Sequence, residues 1–260
     1  MQPMLNIAVR AARRAGDFII RKMNRLADLK VEIKSPNDFA SEVDYQAEER
    51  IIDTLLKAYP DHSILAEECG NIKGNDGYLW IIDPLDGTTN YLHGFPHFAV
   101  SIACQHNGRL QHGVIYDPLK QEIFAASRGD GATLNDRRIR VSHLKSTQRA
   151  LLSNGFPFKH DYLHEFQVLF AEFFNTAGDI RRSGSTALDL AYVASARLDG
   201  YWGSGLQPWD IAAGALILRE AGGLISDYQG DGHYLENGQI VAANPKVLAD
   251  MLRIIQSAKR

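Results

Sequence analysis

The chain has 260 residues, 45% of them hydrophobic, enough to bury a sizeable core as one large domain or two fused halves. A formal net charge of −3 excludes the global basic field of a general nucleic-acid binder, and no direct DNA binding is expected. No apolar run is long enough to span a bilayer, and two cysteines, Cys69 and Cys104, in so long a chain indicate free thiols in a reducing cytoplasm.

The amino-terminal stretch is rich in Arg and poor in acids, a composition shared with mitochondrial transit peptides. Leu5, Ala8, Ala12, Ala15, Ile19 and Met23 nevertheless fall on one helical stripe, with Arg10, Arg13, Arg14, Arg21 and Lys22 largely outside it. That stripe predicts a first structural helix. A short strand at Val31-Glu32-Ile33-Lys34 and a turn at Ser35-Pro36-Asn37-Asp38 follow. Ser41-Glu42-Val43-Asp44 has the form of a capping box, and Val43, Ala47, Ile51 and Leu55 give the helix it opens a buried face. Asp44 has two readings: it complements the helix dipole, or it reaches a neighbouring site. Ser63-Ile64-Leu65-Ala66 reads as a strand running into Glu67-Glu68-Cys69-Gly70, where only one of two adjacent acids can point into a shared site.

Residues 80–90 carry the strongest pattern. Tyr78-Leu79-Trp80-Ile81-Ile82 predicts a buried strand that Pro84 ends at about Asp83, because proline cannot donate to a sheet ladder. Asp83 and Asp86 then place two carboxylates on one side of a tight turn, with the Leu85 carbonyl between them. Such an all-oxygen set suits a hard divalent cation. Gly87 removes the side chain where an anion would approach, so the N–H groups of Gly87, Thr88 and Thr89 are candidates to face a phosphate. Asx-turn chemistry explains the same Asp and Gly residues equally well.

Residues 98–141 read as an antiparallel sheet of strands and hairpins. The polar Lys145-Ser146-Thr147-Gln148 marks a boundary, giving an N-terminal α+β half at 1–145 and a C-terminal α/β half at 146–260. The second half alternates strand with helix, including Ser183-Gly184-Ser185-Thr186 leading into a helix at 187–196. Pro208 and Asp210 mark another helix start and Gly222-Gly223 its end; alone, Asp210 reads as a capping residue. Clusters at Arg10/Arg13/Arg14 and Arg137/Arg138/Arg140 read as solvated faces. Arg181/Arg182 reads either as strand-end charge or as a partner surface.

Four motifs together, Glu67-Glu68 with Gly70, residues 80–90, Gly184-Ser185, and Trp209-Asp210 with Gly222-Gly223, resemble the inositol monophosphatase family. The N-terminal Met4-Leu5-Asn6-Ile7-Ala8 run looks like its bacterial SuhB-type branch. The resemblance implies a layered α-β-α-β-α sandwich of mixed α/β (α+β) class, a homodimer, two or three Mg²⁺ ions per subunit and inhibition by Li⁺. It implies metal ligation by Glu67, Asp83, the Leu85 carbonyl, Asp86 and Asp210, with Asp83 bridging. Thr88, hydrogen-bonded to Asp44, would help Glu67 orient and deprotonate the attacking water. Gly87, Thr88, Gly184, Ser185 and Thr186 would hold phosphate and substrate hydroxyls beside Asp86 and Asp210. The implied reaction is direct in-line hydrolysis of a small phosphorylated polyol.

One position departs from the family. Seven residues before Asp210 the family has a glutamate that contacts inositol hydroxyls, and this chain has Gly203, which points to broader specificity that Gly203→Glu would sharpen. Histidinol-phosphate, fructose-bisphosphate and phosphoadenosine-phosphate phosphatases are alternatives within the superfamily. A different alternative follows from the bacterial branch: partnership with RNA polymerase and Nus factors in ribosomal-RNA transcription antitermination, with catalysis dispensable. Cys69 either borders the metal site or is a small buried filler.

Overall fold

The computed structural model describes residues 2–23, 26, 31–35, 38–155 and 162–258. The alanine-rich stripe folds as α1 (Pro3–Met23), with Leu5, Ala8, Ala12, Ala15 and Ile19 buried. Strands β1 (Val31–Ser35) and β2 (Asp38–Ser41) pair antiparallel, so Asp38 begins a strand instead of closing a turn; Pro36 and Asn37 of the expected turn lie outside the described residues. The capping box forms: Val43 N donates to Ser41 Oγ, and Ser41 N donates to Asp44 Oδ2 at 2.8 Å. It opens α2 (Glu42–Ala58), whose Val43, Ala47, Ile51 and Leu55 pack against α1.

Eight strands build the first sheet: β3 (Ser63–Ala66), β4 (Gly70–Ile72), β5 (Tyr78–Asp86), β6 (Ala99–His106), β7 (Arg109–Asp117), β8 (Glu122–Ser127), β9 (Gly131–Leu134) and β10 (Arg137–Arg138). Their spatial order is β10-β9-β8-β7-β6-β5-β3-β4, antiparallel except where β3 lies parallel to β5. The second sheet has the order β12-β11-β13-β15-β14, built from β11 (Leu151–Asn154), β12 (Asp179–Arg181), β13 (Gly200–Gly203), β14 (Leu224–Ser226) and β15 (Ile240–Ala243). The chain passes from one sheet to the other between Arg138 and Leu151.

Period-two alternation sorts the side chains into layers. On β5, Trp80 and Ile82 join the core under α1 and α2, while Ile81 faces the opposite core. That second core contains α5 (Thr186–Ala194) and α6 (Pro208–Glu220) and is closed on its far side by Tyr201, Ile240 and Ala242 of the five-stranded sheet. Trp202, Val241 and Ala243 point the other way, onto α4 (Leu163–Thr176) and α8 (Pro245–Ala258). The result is the α-β-α-β-α sandwich, with α5 and α6 as a helical layer shared by both sheets.

Pro84 does not end β5. The ladder with β6 continues from Asp83↔Ser101 to Asp86↔Ala99, so three steps on β5 face two on β6. This bulge takes up the residue that cannot donate and turns Asp83 and Asp86 out of simple alternation. On the other side of β5, β3 stops at Ala66, and the chain leaves through Glu67, whose N–H still donates to Ile82 O at 3.2 Å. The end of β5 is thereby uncovered on one side, beside Glu67.

An aromatic column braces the start of the same strand. His62 stacks between Tyr59 and Tyr78, each with ring centroids 4.7 Å away, and its Nδ1 accepts from Trp80 Nε1 at 2.9 Å. With Nδ1 accepting, the proton sits on Nε2, 3.1 Å from Asp76 Oδ2. Burial holds the His62 pKa below its ordinary 6.5, outweighing the charges of Asp76 and Asp61. The unfolded chain therefore takes up the proton first, and this contribution to stability is lost as the pH falls from 6.5 towards the folded-state value. His62→Phe keeps a stacked ring but leaves the indole N–H without an acceptor, a loss of about 1–3 kcal/mol at neutral pH. Urea unfolding at pH 7.5 and 5.5 checks both effects: the variant should be weaker at the higher pH and should lose less on acidification.

Candidate functional site

The acidic motifs meet at one cleft of about 400 Å³, lined by Glu67, Asp83, Leu85, Asp86, Thr88 and Asp210 together with Gly184, Ser185 and Thr186. Glu67 is presented by a turn that Glu48 of α2 fastens: Glu48 Oε2 accepts from Glu68 N at 2.9 Å and Oε1 from Cys69 N at 2.8 Å. Asp83 is 2% exposed and accepts from Leu85 N at 2.9 Å, which realises the Asx-turn reading. Burial first, then the charges of Glu67, Asp86 and Asp210, hold its carboxyl far above the usual carboxylate range. Asp86 faces the start of α5, accepting from Ser185 Oγ, from Ala187 N at 2.9 Å and from Thr186 N at 3.3 Å. Burial still lifts Asp86 to about 6 against those donors. Asp210 lies in the first turn of α6, where its Oδ2 accepts from Gln207 N at 2.8 Å. The capping reading of Asp210 therefore holds, and the residue also lines the cleft.

Thr88 opens the short helix α3 (Thr88–Leu92), and its Oγ lies 2.9 Å from Asp44 Oδ1 and 3.0 Å from Leu85 O. Asp44 also takes Ser41 N and Ser41 Oγ on its other oxygen, at 2.8 and 2.6 Å. Three donors converge on that carboxyl, yet burial raises its pKa. Gly87 has φ +98, and a Cβ there would meet His97 O at 3.1 Å and Gly184 O at 3.3 Å. Both the left-handed backbone and the close approach of the Gly184 loop require glycine.

The residues expected as metal ligands supply carboxylate and carbonyl oxygens only, the donor chemistry of a hard divalent cation. Among the described residues no three His, Cys, Asp or Glu side chains converge into a closed ligand set. Asp86 and Asp210 are drawn instead to Ser185 and Gln207. The donor types fit Mg²⁺, and the repulsion that raises Asp83 is the imbalance that a cation relieves.

Sequence reasoning missed several residues of this cleft. Asn90 Nδ2 donates to His97 O at 2.7 Å and Ser183 O at 2.9 Å, tying the acidic turn to the Gly184 loop. Asp189, 2% exposed, accepts from Ser153 Oγ and Ser183 Oγ, both at 2.6 Å, and burial lifts it to about 7. Asn154, Gly155 and Leu206 also line the cleft. Asn90 closes the 80–90 stretch without a role read for it, and no motif marks Asp189, Asn154, Gly155 or Leu206.

Three expectations change. Arg181 and Arg182 do not form one patch: Arg181 pairs with Asp179 at 2.6 Å, whereas Arg182 lines the cleft and lowers the pKa values of Asp86 and Asp189. Cys69 is neither a buried filler nor a lining residue; it is exposed on the turn, with partial burial and the neighbouring Glu48 pushing its thiol up to about 12. Gly203 ends β13 and is not among the residues lining the cleft. A Cβ there would meet Tyr201 Oη at 2.9 Å and Leu206 Cδ1 at 3.1 Å, so a glutamate must displace a fully buried ring. Gly203→Glu is therefore expected to cost about 1–3 kcal/mol by overpacking, measurable as lowered denaturant resistance, before any sharpening of specificity.

A sequence profile of the inositol monophosphatase family matches residues 1–260. A Pseudomonas aeruginosa protein described as Nus factor SuhB is 53% identical over 98% of this chain and 97% of its own length. The crystal structure of extragenic suppressor protein suhB from Bartonella henselae superposes with a TM-score of 0.96 at 40% identity, covering 98% of this chain and 99% of that one. An inositol monophosphatase from Anabaena superposes with a TM-score of 0.85 at 38% identity, covering 97% and 95%.

The charge on Asp83 yields a test without substrate. Its folded-state pKa is raised, so it contributes most below its unfolded value, and stability is lost as the pH rises through the folded value. In metal-free buffer at pH 8, Asp83→Asn is expected to raise Tm by about 2–8 °C, with a smaller gain at pH 5. Calorimetric melting with a chelator present checks both sizes.

Proposed function

The chain belongs to the inositol monophosphatase family, and from that membership we propose that it is a Mg²⁺-dependent hydrolase of small phosphate monoesters, with inositol monophosphate the leading candidate. The supporting observation is the set of oxygens from Glu67, Asp83, Leu85, Asp86 and Asp210 around one cleft, with Asp83 destabilised by its acidic neighbours. These residues would hold two or three Mg²⁺ ions, which when bound neutralise phosphoryl charge, activate water and stabilise the leaving alkoxide.

The chain's own groups do the rest. Thr88 donates its hydroxyl proton to Asp44 or to the Leu85 carbonyl, which leaves an oxygen lone pair to accept from an attacking water and fix its direction. Glu67 takes that water's proton. Gly87 admits the phosphate to the first-turn amides of α3, which have no partner inside the helix. Ser185 acts on Asp86, because its Oγ donates there while accepting from Leu188 N at 3.3 Å. Gly184, Thr186 and the N-terminal ends of α5 and α6 border the substrate alcohol. No cysteine lines the cleft, in keeping with direct attack by water. We assign the cleft to the junction of an N-terminal half, 1–145, and a C-terminal half, 146–260, of a cytoplasmic homodimer.

Phosphate release from a panel of monoesters tests this reading. Turnover should require Mg²⁺, fall with Li⁺ and disappear in folded Asp83→Asn; substantial Mg²⁺-dependent turnover by that variant would overturn the assignment. A second reading, a Nus-factor role in transcription, is supported by the description of the Pseudomonas relative. Capture of RNA polymerase and Nus factors by the wild type, retained by Asp83→Asn, would establish that role as independent of catalysis. Absence of capture by both proteins would remove it.

A further inference from the structure

Asn154 ends β11, on the side of the cleft contributed by the five-stranded sheet. It is 2% exposed, and its amide oxygen has no hydrogen-bond donor among the described residues. The amide nitrogen reaches only Arg181 O, at 3.5 Å. A buried acceptor left in this state is costly in a finished core, where polar atoms are almost always paired. Here the residue borders a cleft, so a ligand can provide the missing donor.

The surroundings define what that ligand group is. An amide oxygen presents lone pairs only, so it repels phosphate oxygens and accepts from a hydroxyl. Gly155, the next residue, has no side chain, and a Cβ there would lie 2.4 Å from Tyr201 Oη. A Cβ at Gly203 would meet the same hydroxyl at 2.9 Å, so two glycines make room for Tyr201. The Tyr201 hydroxyl lies 3.1 Å from Thr186 Oγ and makes no hydrogen bond to the Asn154 side-chain oxygen. Leu206 flanks the pocket with an apolar surface.

We propose that Asn154 is a specificity residue whose side-chain oxygen accepts a hydroxyl of the leaving polyol. It supplies this chain with a hydroxyl contact on β11, whereas Gly203 on neighbouring β13 carries no side chain to make one. The inference rests on the phosphatase reading and deepens it: the phosphoryl group belongs at the carboxylates, and the alcohol extends to the five-stranded sheet.

The test compares two substrates across three proteins. Inositol monophosphate offers several free hydroxyls, whereas phenyl phosphate offers none on its leaving group. Asn154→Leu replaces the amide with hydrocarbon of similar size and should melt no lower than wild type. Its kcat/KM for inositol monophosphate should fall about ten- to a hundredfold, with phenyl phosphate changed by less than about threefold. Asn154→Asp keeps an acceptor oxygen in place and should keep the ratio of the two substrates near that of wild type. Equal losses on both substrates, or an unchanged ratio in Asn154→Leu, would overturn the proposal. If wild type hydrolyses neither ester, the phosphatase reading fails, and calorimetric titration with inositol monophosphate then decides the subsite alone. Binding at least about tenfold weaker in Asn154→Leu supports it; equal binding, or none by wild type, overturns it.

Discussion

The structure depends on how Asp86 is held. It ends a strand of the eight-stranded sheet, and its donors all come from the first residues of α5, in the helical layer shared with the other sheet. The two amides and the hydroxyl of Ser185 satisfy the carboxylate where the dipole of α5 favours negative charge. Residues lining the cleft come from elements on both sides of this contact. Neighbouring bonds brace the junction. Asn90 reaches across to Ser183 O, and Asp189 joins Ser183 to Ser153 on β11. Removing Asp86 would therefore do more than change the lining of the cleft: it would loosen the attachment of α5 to β5.

Much of this architecture is legible in local sequence. The stripe of α1, the capping box of α2 and the alternation of Trp80 and Ile82 against Ile81 obey short-range periodicities that tertiary packing does not override. The acids stand out in the sequence because Asp83 and Asp86 flank a Pro-containing turn before Gly87 and Asp210 follows Pro208 at a helix start, while their grouping as a ligand set is what the family resemblance implies. What was not legible depends on contacts between distant residues. Pro84 reads as a terminator, yet a bulge accommodates it, since the ladder with β6 can skip one residue. Arg181 and Arg182 read as one patch, yet successive residues leaving β12 face different surroundings. Nothing in the local pattern marks Glu48, yet it is 3% exposed and holds the turn that presents Glu67.

The sequence also leaves open whether these aspartates serve turn chemistry or a cation, and the structure holds the two in different ways. Asp83 spends one oxygen on Leu85 N, an ordinary Asx-turn bond. A single backbone donor does not offset the burial of a carboxylate at 2% exposure, and three acidic neighbours add repulsion. Asp86 differs, because three donors meet its two oxygens. Tertiary hydrogen bonds from residues 185–187 thus account well for Asp86 as a structural residue, whereas a single Asx-turn bond accounts poorly for Asp83. A carboxylate acting only in a turn would be better placed at the surface, where water solvates its charge. Positive charge in the cleft would relieve the burial and repulsion that raise the Asp83 pKa. This asymmetry bears on the choice between catalyst and binding module. A protein that only docks onto a partner gains nothing from a buried, repelling carboxylate in a concave site, whereas phosphate-monoester hydrolysis uses that arrangement to concentrate cationic charge on the phosphoryl group.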